Sequence, residues 1–230
     1  MLCGVCLGRI SWCKKLTRGY AGAVDILGVA LKEVMPGARH AGLVFYDRDK
    51  QSKRFLHLAW HYQFTNDELE SDYFIYPNNS FNLGEVEYLA ERAQRLWDIN
   101  GHKIAYGLDY NGARIFDDEL KFLGQDGAGL TCATFVLAFF ERCGFPVAEL
   151  ASWLPRKSDA SFQQWVCDAL KAKLNEEQYE RAMKSIGNAP RYRPEEVVAC
   201  FSHYDVDPIG FPDAQVWGCA VLKEANMTVV

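Results

Sequence analysis

The residue in this chain best placed by type and spacing to do chemistry is Cys132. It lies in the segment Gly129–Cys143, GLTCATFVLAFFERC. A Gly-rich lead, Asp126-Gly127-Ala128-Gly129, runs into Thr131 and Cys132. Phe135, Val136, Phe139 and Phe140 then recur at helical spacing, and Gly144 supplies a stop. Cys132 therefore falls at or within one position of a helix start. Unpaired backbone N–H groups and the positive end of the macrodipole gather there and favour the thiolate, the nucleophilic form. The thiol is expected to titrate below the free value of about 8.5. The glycines permit the close backbone approach that presents a nucleophile at a cleft. The plain alternative is a small core cysteine on a buried helix.

A thiol nucleophile needs a base to take its proton and return it to the leaving group, and the base needs a third polar group to fix its tautomer. Two histidines on neighbouring β-prone runs can fill those roles: His40 in HAGLVFY and His57 in RFLHLAWHYQF, which also carries His61. Strand side chains alternate faces. Placing Leu43, Phe45, Leu56, Leu58 and Trp60 on one core face puts His40, His57 and His61 together on the other. Three registers satisfy that pattern. Tyr46 opposite Gln51 sets His40 across from His57. Asp47 opposite Ser52 makes His57 face Gly42, as a diagonal neighbour of His40. Arg48 opposite Lys53 sets His40 across from His61. Two of the three favour His57 as the third member. Helix-start N–H groups, that of Cys132 first, are expected to stabilise an oxyanion. Gln125 and Thr131 are weaker candidates for that role, and His61 for a substrate-side one. Tyr106 and Asp109 are candidates to line the cleft, while His102 and His203 have no evident partners.

These stretches, H-A-G-L-V-F-Y, F-L-H-L-A and T-C-A-T-F-V, resemble the circularly permuted papain-like cysteine hydrolases, the NlpC-type and lecithin retinol acyltransferase-like group. In that group the histidine precedes the cysteine in the chain. The match covers roughly residues 38–61 and 127–145. It implies Cys132 as nucleophile, His40 as base and His57 as the orienting member. It also implies an antiparallel half-barrel packed against the cysteine helix. The longer charged hairpin and the lack of Asn-Cys-Glu depart from the animal acyltransferases, so a hydrolase branch, amidase or peptidase, is the better expectation.

Around these residues the expected elements run in order. Residues 17–35 form a helix ended by Pro36-Gly37, although two glycines leave a strand open over Asp25–Ala30. His40–Tyr46 and Arg54–Phe64 are strands across a charged turn, followed by a polar surface stretch Thr65–Asp72 and a short strand Tyr73–Tyr76. Asn82–Asn100 is a helix. Ile104–Tyr110 and Ala113–Phe116 flank an Asn111-Gly112 hairpin turn. Asp159–Lys173, Glu176–Ile186 (capped by Asn175) and Glu195–His203 (with Pro194 in its first turn) are helices. An irregular tail follows, with a short strand near Val216–Leu222. The fold class expected is α+β: a catalytic domain over 1–155 and a helical appendage over 156–230 packed on it.

Composition sets the outer limits. The chain has 230 residues, 49% hydrophobic and 24% charged, ordinary for a globular protein. Its net charge of −5 gives no basic footprint for nucleic acid. No apolar run reaches the length of a membrane span. The opening MLCGVCLGRISWCKK lacks a basic region ahead of its apolar stretch, which points away from secretion and towards the cytoplasm, where thiols stay reduced. Cys3-x-x-Cys6 with Cys13 lacks the second pair a zinc site would use, so no metal or cofactor is expected. The partner expected is a small-molecule, peptide or acyl substrate. The competing classes are a binding module that keeps the cleft without chemistry, and a metal protein built on the N-terminal cysteines.

Overall fold

A computed structural model describes residues 14–15, 27–112, 114–124 and 128–229. It is an α+β fold around an open antiparallel sheet. The strands are β1 (Lys14–Lys15), β2 (Leu27–Met35), β3 (Ala38–Asp47), β4 (Ser52–Trp60), β5 (Gln63–Glu68) and β6 (Phe74–Pro77), in the order β1-β6-β2-β3-β4-β5. Alternation gives the sheet two apolar faces. Leu27, Val29, Leu31, Ala41, Leu43, Phe45, Leu56 and Leu58 join the main core. Ala30, Val44, Phe55, Tyr73 and Ile75 form a smaller cluster.

The main face is covered by helices α1 (Leu83–Asn100), α2 (Cys132–Arg142) and α5 (Pro194–His203), with α6 (Phe211–Glu224) packed on α5. Helices α3 (Ala160–Leu170) and α4 (Glu176–Ser185) pack on each other. Local capping sets several boundaries. Asn82 and Glu85 form a reciprocal capping box at α1, as do Asn175 and Gln178 at α4, and Pro194 occupies the first turn of α5. Buried side chains before and after residue 155 belong to one continuous core.

The register of β3 with β4 pairs Asp47 with Ser52 and Leu43 with Leu56. This is the middle of the three expected registers. The turn sets it: the Asp47 carboxylate accepts the N–H groups of Asp49 and Lys50, both at 3.0 Å, and Gln51 takes a left-handed φ of 50°.

Four expectations are corrected. Leu27–Met35 is a strand, in line with the alternative left open over Asp25–Ala30 and not with the end of a helix. Its apolar residues suit either period, and pairing with β3 on one side and β6 on the other decides between them. Arg54–Phe64 is not one strand, because the chain reverses at His61-Tyr62, where Tyr62 has φ 57°, and Gln63–Glu68 returns as β5. That places half of the expected polar surface stretch in an edge strand. The residues around Asn111-Gly112 do not pair as a hairpin: Tyr106 bridges to Leu130 and Phe116 to Phe122 instead. Val216–Leu222 lies within α6, where Ala214, Gly218, Val221 and Leu222 are buried at helical spacing.

Candidate active site

Thr131 caps the helix that Cys132 opens. Its hydroxyl accepts the Thr134 N–H at 3.1 Å, and the Thr134 hydroxyl accepts the Thr131 N–H at 2.7 Å. At the other end Gly144 takes φ 90°, its N–H reaches the Glu141 carbonyl, and the Phe145 N–H reaches the Phe140 carbonyl at 2.9 Å. Those two bonds make a Schellman stop. The lead into the helix is clamped beside residues 105–107. The Leu130 N–H donates to the Ala105 carbonyl at 3.0 Å, and the Gly107 N–H to the Leu130 carbonyl at 3.1 Å. A Cβ on Gly129 would stand 2.5 Å from the Gly107 nitrogen, so this approach requires glycine.

The pairing of β3 with β4 stops at Leu43–Leu56, while β4 goes on pairing with β5 as far as Trp60–Gln63. Beside the start of β3, beyond that last pair, the N-terminus of α2 comes in. There the backbone N–H groups of Ala41, Ala133 and Cys132 itself act on the Cys132 sulfur and favour its thiolate. Ala41 faces the α2 side of the sheet. His40 points to the other side, among Phe55, His57 and Tyr73.

His40 Nε2 lies 2.7 Å from His57 Nδ1. His57 Nε2 in turn lies 2.9 Å from Thr65 Oγ1 and 3.3 Å from Asp67 Oδ2. A carboxylate only accepts, so Asp67 favours a proton on His57 Nε2. His57 Nδ1 is then the acceptor, His40 Nε2–H the donor, and His40 Nδ1 carries the free lone pair. Phe55 stacks on the His57 ring at 4.3 Å, and a Cβ on Gly42 would meet the His57 Cβ at 2.6 Å. The structure thus joins His40 to His57. It forms no hydrogen bond between Cys132 and His40.

Burial dominates the electrostatics. It pushes the His40 pKa down to about 3, helped by the charges of His57 and of Lys32 across the strand pair. Burial also lowers His57, against the opposing pull of Asp67. It raises the Cys132 thiol above its ordinary value, outweighing the three backbone N–H groups and the Arg191 charge. This corrects the expectation of a low-pKa thiolate: the helix terminus acts as foreseen, but desolvation of a residue only 6% exposed is larger. At rest the site holds a neutral thiol and a neutral imidazole.

The remaining candidates fall elsewhere. His61 is buried away from His40 and accepts the Tyr106 N–H on Nδ1 at 3.2 Å, so it latches the segment that lines the cysteine cavity. Thr131 is the helix cap, and its hydroxyl is engaged there. Gln125 and the cysteines at 3, 6 and 13 lie outside the described residues. Asp109 pairs with Arg181 at 2.5 Å, His102 packs against Trp97 and His203 stacks on Trp217. Tyr106 does line the cavity at Cys132.

Sequence reasoning missed Arg39 and Arg191, which flank Cys132 in that cavity. The only local signal was Arg191-Tyr192-Arg193 just ahead of Pro194. Among the described residues no group of three metal-ligating side chains converges, and no helix is long and apolar enough to cross a membrane. Comparison with protein-family models, curated proteins and solved structures finds no match.

Proposed function

We propose that the protein is a cysteine-dependent hydrolase or acyltransferase, an amidase or peptidase foremost, acting on an amide, ester or thioester through an acyl-enzyme at Cys132. The observation that supports this reading is the chain of contacts Asp67–His57–His40, with His40 next in sequence to Ala41, whose backbone N–H favours the Cys132 thiolate. In this reading the open sheet corresponds to the half-barrel of the permuted papain-like enzymes, and residues 1–155 carry the catalysis. Free thiols at Cys132, Cys143, Cys167, Cys200 and Cys219 support residence in a reducing compartment such as the cytoplasm.

The Cys132 sulfur attacks the carbonyl carbon while its proton passes to His40 Nδ1. At rest Cys132 lies on the α2 side of β3 and His40 on the other, so this step requires the loaded complex to bring thiol and imidazole together past the edge where β4 leaves β3. Backbone N–H groups at the start of α2 receive the oxyanion. His40 then returns the proton to the leaving nitrogen, oxygen or sulfur, and a water or acyl acceptor, deprotonated by His40, releases the product. The Asp67–His57 pair stabilises the transient His40 cation that burial otherwise disfavours.

A second reading, a binding module that uses the cleft for recognition, is favoured by the buried neutral thiol and the missing Cys132–His40 bond. A panel of amide, ester and thioester probes separates the two. Turnover that vanishes in both Cys132→Ala and His40→Ala, with a covalent Cys132 adduct trapped in the wild type, is the expected result. Full activity in Cys132→Ala would overturn the assignment, and so would a wild type inert to every probe.

A further inference from the structure

The protein is acidic overall, yet the walls beside Cys132 are not. The cavity at Cys132 has a volume of about 40 Å³ and is lined in part by Tyr106, Arg39, Phe162 and Arg191. It adjoins a groove of about 700 Å³ that shares Arg39, Phe162 and Arg191 and adds Arg156, Arg193 and Trp165. Among the described residues no Asp or Glu lines either one. The carboxylates that balance these arginines stand behind them: Asp159, Glu195 and Glu196, all buried.

That balance is uneven. One carboxylate, Asp159, serves three guanidinium groups. It takes Arg156 at 2.7 Å and Arg193 at 2.8 Å, but Arg191 only at 3.3 Å. Among the described residues this is the one side-chain hydrogen bond that the Arg191 guanidinium makes, and most of its five donors face the cavity side without a protein partner there. Phe162 stacks under that guanidinium at 3.4 Å from the ring centre and fixes its plane. Arg39 spends one arm on Glu195 at 3.0 Å and another on the Thr228 carbonyl, and its buried Nε has no partner. A planar guanidinium with a free edge is matched by the two oxygens of a carboxylate. A cavity of about 40 Å³ holds roughly three water-sized groups, which is the size of a carboxylate.

We infer that Arg191, with Arg39 beside it, receives a carboxylate of the substrate next to the scissile bond, and that the arginine-lined groove carries the remainder of an acidic peptide. This rests on the reading of Cys132 as the nucleophile. It makes Arg191 the residue that selects the substrate, while Cys132 and His40 carry the chemistry. The Trp165 and Phe162 rings offer apolar surface along the same groove for the stems of acidic side chains.

Iodoacetate and iodoacetamide differ only in carrying a carboxylate or an amide, and each alkylates a thiolate with loss of iodide. Their rate ratio at Cys132, set against the same ratio at the exposed Cys219 by peptide mapping, therefore reads the site directly. Cys132 should favour iodoacetate by roughly tenfold more than Cys219 does, the scale of one charged hydrogen bond. The preference should vanish in Arg191→Gln and survive in part in Arg191→Lys. A wild-type ratio equal to that of Cys219 would overturn the inference even if neither variant folds. A second arm compares acyl probes that carry a carboxylate or a carboxamide beside the scissile bond. A carboxylate preference in kcat/KM that depends on Arg191 supports the inference, and equal values with intact turnover overturn it. Selective iodoacetate labelling with no turnover of any probe would leave the carboxylate site standing and remove the catalytic reading.

Discussion

His40 and His57 are joined ring to ring, Nε2 to Nδ1 at 2.7 Å, with their planes inclined by 74°. Two neutral imidazoles can share such a contact only if one donates and the other accepts. Asp67 beyond His57 decides which. The pair is therefore directional, and its free end is the nitrogen of His40 that points away from His57.

On the proposed mechanism, replacing His40 should cost most. His40→Ala is expected to lower kcat/KM by roughly 10²–10⁴-fold, the usual worth of a general base. His57→Ala should cost less and should shift the pH profile, because His40 loses the partner that sets its tautomer. His61→Ala should leave the rate within a few-fold and instead lower stability by about 1 kcal/mol through loss of its bond to the Tyr106 N–H. Kinetics and denaturant melts on the three variants decide it. A silent His61→Ala beside an active His57→Ala would reverse the roles.

The titration of Cys132 should follow burial over helix dipole. Alkylation by iodoacetamide against pH is expected to give a midpoint above the free value of about 8.5, as the direction of its shift requires. A midpoint below that value would mean that the helix terminus and His40 outweigh desolvation and that the resting site is an ion pair.

Acid should destabilise the fold in a defined window. His40 is lowered to about 3 from 6.5, so between those values the unfolded chain binds a proton that the folded one refuses. Stability then rises with pH across this window, is fully present above about 6.5, and is lost as pH falls towards 3. His57, Lys32 and Tyr73 are the titratable groups facing His40, and the Lys32 charge adds to the effect. Denaturant melts across the window should show a shallower slope in His40→Gln than in the wild type. Equal slopes would mean that His40 is protonated normally in the folded protein.

Gly42 should not accept a side chain. An added Cβ would meet the His57 Cβ at 2.6 Å and the Leu56 carbonyl oxygen at 2.8 Å, and neither is the end of a flexible chain. Gly42→Ala is expected to cost about 1–3 kcal/mol and to displace His57 from His40. Chemical denaturation measures the first effect and the His57 imidazole NMR signals the second. An unchanged midpoint with unchanged signals would show that β3 and β4 can separate there freely.

Much of the site's scaffold could be read without coordinates, because its causes are local. Thr131 ahead of an apolar helical run and Gly144 behind it place Cys132 at a helix start. Strand alternation puts His40 and His57 on one face in any register that buries Leu43 with Leu56; the same alternation expected His61 there too, and the reversal at Tyr62 takes it away. The cap at Asn175 needs only its own first turn. The tertiary structure decided what depends on distant neighbours. Leu27–Met35 is a strand because β3 and β6 lie on either side of it, and Val216–Leu222 is helical because α5 covers it. The choice between His57 and His61 turned on a chain reversal at Tyr62 and on Asp47 fixing its turn. The state of the Cys132 thiol reversed for the same kind of reason: a helix dipole is set by the helix itself, but desolvation is set by everything packed around the sulfur. Arg39 and Arg191 meet at Cys132 only because β3 and the approach to α5 converge there, which neither stretch of sequence records.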